Sequence, residues 1–377
     1  MSLRPEAARV VAACAVSLVF GCTGAMIDSS DGRGDSGAPS EDAPLAVDTT
    51  AMESAASVDT STGLDAGPSL DVPAVTAPDA PADAARDAPA VDAPAGPVAH
   101  RVLSAVSDKG VLAIVGADGR IEWQYDVLAL GGEANDAWLL PNGDIVFAYR
   151  SGARQMTAAK MTVWDYAAPA GTEVHSCQPL PGGHFLLGEA HDGGVGLLRE
   201  LDAAGKVVST VTVTMPGGLA PHNQFREVRK TPQGTYLVTY LQTNKAYELD
   251  GTGRTLRTFP CGSFVAIRLP DGNTLISCGD AHRVIEVDPQ DRIVWQVNET
   301  DVPGNRLGFA AGLQRLPNGD TIICNWPGHS GLTSQPQAFQ LTRDKRLVWT
   351  LNNPALGWTS NVDVLDVDAQ VGGVALR

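Results

Sequence analysis

Five times between residues 139 and 326 the chain repeats one short pattern: a proline, a small or polar residue, a glycine, then a run rich in apolar residues. The copies are LLPNGDIVFAYRSG at 139–152, PLPGGHFLLGEAHDG at 179–193, KTPQGTYLVTYLQ at 230–242, RLPDGNTLISCGD at 268–280 and RLPNGDTIICNW at 315–326. Their glycines, Gly143, Gly183, Gly234, Gly272 and Gly319, are separated by 40, 51, 38 and 47 residues. Proline suits the first corner of a type I turn, Asn or Asp the second, and glycine the left-handed position that follows. Each copy is therefore a tight hairpin between two short strands. A second signal follows each hairpin: RELDAAGKVVSTV, YELDGTGRTLRTF, IEVDPQDRIVWQV and FQLTRDKRLVWTL are each a strand, a polar turn and a strand. Four strands per unit at this period describe a propeller blade and not a helical solenoid.

The ends of the array fix its count. Residues 101–125 align without a gap to 273–297, supplying three strands and lacking the first, while TSNVDVLDV near the C-terminus supplies one strand. Together they make one blade. The expected fold is all-β: a six-bladed propeller of four-stranded blades, its first blade closed by strands from both ends of the domain, which leaves no open sheet edge across the ring. Outer strands carry Trp123, Trp164, Trp295 and Trp349. A tryptophan recurring once per unit is expected to pack between blades.

Composition divides the rest. Residues 1–22 place Arg4 and Arg9 before the apolar stretch 10–20 and end in Gly21-Cys22. This is a signal peptide, too short to span a membrane, with a lipobox-like ending that predicts acylation of Cys22. Residues 23–98 contain no Phe, Trp or Tyr, and their fourteen acidic and two basic residues supply −12 of the net charge of −16. Such a segment buries too little apolar surface to offset its ordering entropy and is expected to be a disordered tether. The acidity argues against nucleic acid as a partner. The propeller domain is 99–377, with Cys177, Cys261, Cys278 and Cys324 but no CxxC or zinc pattern; at least two of the four are expected as small buried strand residues.

The LPNG hairpins and the outer strands of the DxxGRIxW type resemble those of the quinoprotein-like (PQQ-like) propellers, and more closely the six-bladed arylsulfotransferase-like group with its secreted bacterial relatives. The resemblance covers residues 99–377. It implies the propeller fold and, from the sulfotransferases, sulfuryl transfer through a histidine with further histidines and an arginine at the channel mouth. The quinone-dependent members have eight blades and a calcium site; six blades and no vicinal cysteine pair argue against PQQ.

Small-molecule sites in propellers lie where inner strands begin and meet the loops after the second strands. Counting back from the turn prolines places Asn135, His175, Arg226, Phe264 and Ala311 there; counting on from the turn glycines adds Arg150, Glu189, His191, Tyr240, Gln242, Asp280, Asn325 and Trp326. His222, His282 and His329 lie near these positions in sequence. Three chemistries fit. Imidazoles with Glu189 or Asp280 suit a divalent metal. His175 or His222 could act as nucleophile or general base while Arg226 and Arg150 hold an anion. Alternatively Trp326, Phe264 and Phe309 stack on a sugar ring without turnover. No phosphate loop and no GxSxG occurs, which argues against nucleotide binding and serine hydrolysis. The combined expectation is a monomeric, exported lipoprotein of the bacterial envelope, on the outer membrane because Thr23 follows Cys22. Its channel mouth recognises an anionic or sugar-like ligand, with His/Arg group transfer there left open. The competing reading is a non-catalytic scaffold for another envelope protein.

The anchor has a direct check. Cys22→Ala should shift the protein from the membrane fraction to the soluble fraction with its thermal unfolding unchanged. A lipid-free wild-type protein beginning at another residue contradicts it.

Overall fold

A computed structural model describes residues 98–214, 220–367, 370–371 and 374–377, all within the compact unit Arg86–Arg377. The signal segment, Cys22 and the tether up to residue 97 lie outside the described residues. Six four-stranded antiparallel sheets form the blades of a β-propeller. From the first blade onward the inner strands are Thr359–Val364, Ala134–Leu139, Glu173–Leu180, Phe225–Lys230, Ala266–Arg268 and Ala310–Arg315. The outer strands are Ile121–Asp126, Thr162–Ala167, Val207–Thr214, Thr255–Thr258, Ile293–Asn298 and Leu347–Leu351.

The turns explain the repeat. All five hairpin glycines have positive φ, from 77° to 88°, where a side chain would be strained. In the second blade Gly143 N–H donates to Leu140 O at 2.8 Å, and Leu140 N–H donates to Asp144 O at 2.8 Å. The outer hairpins repeat this geometry in every blade, with Gly119, Gly205 and Gly253 left-handed in three of them and Lys160, Asp291 and Lys345 in the others.

The expected closure is present. Val102–Val106 pairs with Thr359–Val364, from Val102 opposite Val364 to Val106 opposite Thr359. Val362 and Val364 are buried, and each valine so placed contributes about 1.5–3 kcal/mol. Ser360 Oγ donates to backbone carbonyls of both the first and second blades. The far end of the seam is pinned by His100, buried against the edge of Trp349, with Nε2 on Gln340 at 2.7 Å and Nδ1 on Asp366 at 3.0 Å.

The tryptophans pack between blades as expected: Trp123 Nε1 donates to Ala158 O of the next blade at 2.9 Å, Trp295 Nε1 to Arg343 O at 2.8 Å, and Trp164 packs on Phe185. Cys177 and Cys324 are free and buried. Cys261 and Cys278 form a disulfide across a Cα separation of 5.3 Å, a pairing their 17-residue spacing did not reveal.

The channel is filled along its axis. Arg229 donates to Asp136 at 3.0 Å and to Glu227 at 2.5 Å. Arg377 lies 3.9 Å from the Trp138 ring centroid and 3.3 Å from Asp363, and Asn361 Nδ2 donates to Glu227 at 2.7 Å. This polar plug puts a floor beneath the mouth.

Deleting residues 358–377 removes the closing strand and Arg377 together, leaving the backbone of Val102–Val106 unpaired on one side. The expected outcome is a fall in melting temperature of more than about 10 °C. Wild-type unfolding of the truncated chain contradicts the closure.

Candidate functional site

Several inner strands begin with a β-bulge, and the bulges aim the site. Pairing slips between Ala134 and Asp136, between Val174 and Ser176, and between Phe225 and Val228, which leaves Asn135, His175 and Arg226 out of the ladder. The closing strand does the same at Ser360, which has no partner between Asn361 and Thr359. An extra residue re-aims its side chain without shifting the strand beyond it. Strict alternation would put Arg226, Val228 and Lys230 on one side. Instead Arg226 faces the mouth, Val228 packs in an apolar core and Lys230 reaches Glu200.

The residues enclose a cavity of about 50 Å³ lined on one side by Glu133, Asn135, His222 and Arg226, and on the other by Phe264, Phe309, Trp326 and His329. Ser107, Leu241 and Ser360 complete it. Glu133 is held at φ +57°, an uncommon conformation for a non-glycine residue and one that clusters at functional sites. The aromatic wall is built edge to face: Phe309 meets Phe264, Trp326 and His329 at centroid distances of 6.3, 5.3 and 5.4 Å. Trp326 Nε1 donates to Ser107 Oγ at 2.9 Å, and His329 Nδ1 lies 3.0 Å from Asp280.

Beside the cavity runs a relay of hydrogen bonds. Asn135 Nδ2 donates to His175 Nδ1 at 2.9 Å, and His175 Nε2 donates to Glu173 Oε2 at 2.9 Å. His222 Nδ1 donates to the same oxygen at 2.9 Å and its Nε2 accepts from Arg226 Nη2 at 3.2 Å. These directions make both imidazoles neutral. Burial and the nearby Arg226 guanidinium push the His175 pKa down to about 4. Burial opposes ionisation of Glu173. Hydrogen bonds from His175 and His222, and from Arg150 on its other oxygen at 2.7 Å, outweigh that and hold the carboxyl well below the usual range.

Arg226 stands apart. Four arginines are buried among the described residues: Arg226, Arg229, Arg315 and Arg377. The last three face carboxylates. Among the described residues, Arg226, 6% exposed, makes no ion pair, and its Nη1 is buried without a hydrogen-bond partner. Its chain neighbour Glu227 is taken by Arg229, and Glu189 by Arg199 at 2.7 Å. Burial draws the Arg226 pKa down, with Glu133 and Glu173 opposing that shift.

The structure thus brings together His175, His222, Arg226 and Trp326. Arg150 lies outside the cavity lining and donates to Glu173, which also lies outside it. Three other expected residues are engaged elsewhere. Glu189 is fully buried between Tyr166, His191 and Arg199. His282 Nδ1 bonds to Gly308 O, with its backbone at φ +51°. Asn325 clamps a loop: its Oδ1 accepts from Gly308 N–H at 2.7 Å, and its Nδ2 donates to Arg306 O at 3.0 Å. Ala311 gives way to Phe309 in the lining. Glu173 and Glu133 escaped the sequence reading. Glu173 had a signal in Glu-Val-His at 173–175, since alternate strand residues share a face.

Comparison with known proteins gives a family match and several solved structures of similar fold. The profile of a family described as Mal s 1 allergenic protein-like matches residues 109–323. A solved structure of a protein of unknown function from Bacteroides caccae is 32% identical, covering 70% of this chain and 98% of that one, with a TM-score of 0.65. A catalytically inactive virginiamycin B lyase from Staphylococcus aureus with quinupristin is 11% identical, with coverages of 66% and 79% and a TM-score of 0.47. A calcium-binding regucalcin from Agrobacterium tumefaciens is 11% identical, with coverages of 68% and 94% and a TM-score of 0.45. No curated protein matches.

The Asn325 clamp can be tested by stability alone. Asn325→Ala leaves the buried Gly308 N–H without its acceptor, at a cost of about 1–3 kcal/mol. The melting temperature should fall by roughly 3–10 °C. Unchanged unfolding contradicts the clamp.

Proposed function

The chain belongs to the Mal s 1 allergenic protein-like family, and from that frame we propose that its propeller binds a small anion, or the anionic head of a larger ligand, at the channel mouth. One observation carries the reading: Arg226 is the buried arginine without a carboxylate, and its unpartnered Nη1 belongs to a side chain that lines the cavity. An uncompensated buried charge costs several kcal/mol. An anion relieves that cost, and the planar guanidinium fork matches carboxylate, sulfate or phosphate oxygens.

Size narrows the ligand. A cavity of about 50 Å³ accepts such a group but is far below the roughly 300–1,000 Å³ that encloses a whole organic ligand. A sugar would enter only by an acidic substituent, with its ring outside. The aromatic wall excludes water and so strengthens the charge interaction. Both imidazoles have their ring nitrogens engaged, but the His175 side chain is buried while that of His222 is 43% exposed, so His222 is the imidazole placed to exchange a proton with a bound ligand. In this reading the protein is an exported lipoprotein, anchored through Cys22 at the outer membrane, whose tether holds a monomeric propeller away from the bilayer.

Thermal unfolding with added sulfate, phosphate or a short carboxylate tests the site. Saturation at 100 times Kd stabilises the wild type by about 2.7 kcal/mol, a rise of roughly 5–10 °C. Arg226→Ala should lose that rise while its ligand-free melting temperature stays level or increases, because an unpaired charge is gone. Arg226→Lys should restore the response poorly. A large loss of ligand-free stability in Arg226→Ala, with no anion protecting the wild type, assigns Arg226 to the structure instead.

A further inference from the structure

We infer that Glu173, His175 and His222 form a binding site for a divalent transition cation of the zinc class. The donor atoms, one carboxylate oxygen and two imidazole nitrogens, all lie within 4.8 Å of one another. Both His-to-Glu separations are 2.9 Å. A tetrahedral ion about 2.1 Å from each ligand sets ligand atoms about 3.4 Å apart, so side-chain adjustments of about an ångström admit it. Two imidazoles and a carboxylate with open positions are the donor set of hydrolytic zinc and non-haem iron centres.

The surroundings fit a metal better than a simple charge cluster. Glu173 and His175 are each held from behind, as metal ligands are. Arg150 occupies Oε1 of Glu173 and leaves Oε2 to the site. Asn135 grips His175 Nδ1 and directs Nε2 inward; with the amide turned over, its oxygen accepts from Nδ1–H when Nε2 ligates. His222 comes from a different blade and is part-exposed, which gives the ion a way in. The positive charges of Arg150 and Arg226 oppose the cation, and the Glu173 carboxylate with Glu133 nearby opposes them in turn.

Ligation has a consequence for Arg226. When His222 Nδ1 holds the ion, the ring proton sits on Nε2, the atom that now accepts from Arg226 Nη2. Arg226 then gives up that acceptor, and both terminal nitrogens are left for the cavity.

The test reads metal alone, so its outcome is separate from that of the anion site. The purified full-length protein, stripped with a chelator, is titrated with Zn²⁺ against a chromophoric competitor. The wild type should take up one ion per chain. His222→Ala should retain its metal-free melting temperature, because the side chain is part-exposed, yet weaken the affinity by at least about 100-fold, more than loss of an outer-shell partner does. Glu173→Gln provides a second ligand variant, Asn135→Ala should weaken binding by about 10–100-fold, and His184→Ala, in a hairpin at the other end of the third blade, should leave it unchanged. The inference is overturned if the wild type binds no stoichiometric ion, or if His222→Ala and Glu173→Gln bind as the wild type does.

Discussion

The pairing of Thr359–Val364 with Val102–Val106 is the contact on which the rest depends. Without it the first blade has three strands and the ring has a seam. With it, six inner strands begin around one circle, and residues about 40 to 50 positions apart in the chain become neighbours. His175 and His222 come from different blades yet share one oxygen of Glu173. The closing strand also contributes directly: Ser360 lines the mouth, and Asn361, one residue further in, belongs to the polar plug that forms its floor.

Within that ring the plug and the mouth treat arginine in opposite ways. Arg229 and Arg377 sit among Asp136, Glu227 and Asp363, so their charges are balanced by the protein itself. Three residues back along the same inner strand from Arg229, Arg226 has histidine and aromatic neighbours, with Glu133 in the same cavity, and makes no ion pair among the described residues. A buried charge left unbalanced lowers stability, and the proposed anion would supply the counter-charge. The relay from Arg226 through His222 to Glu173 connects that charge to a carboxylate gripped by three side chains.

The blade count, the closure and the mouth positions were legible because each rests on local chemistry repeated many times: a left-handed glycine, an alternating run, a tryptophan. Counting six residues back from the turn prolines found Asn135, His175, Arg226 and Phe264 because that distance is nearly the same in each blade. What failed to show was anything fixed by a break in the pattern or by a partner far away. Bulges are invisible to period-two reasoning, which would put Arg226 and Val228 on one face although they point apart. Glu189 looked available from its place past the turn glycine, and only packing reveals that Arg199 and Tyr166 consume it. His282 and Asn325 sit in loops of the right length, where their polar atoms are spent on backbone. The Cys261–Cys278 disulfide is likewise a matter of which strand ends meet.

The central claim is that Arg226 is charged, buried and unpaired until an anion arrives. A crystal structure of the protein grown with selenate, phased at the selenium edge, tests it most directly. The account predicts an anomalous peak inside the cavity, with selenate oxygens within about 3 Å of Arg226 Nη1, between His222 and the aromatic wall. A cavity without selenium density, with the Arg226 guanidinium turned onto the Glu133 carboxylate, would contradict it.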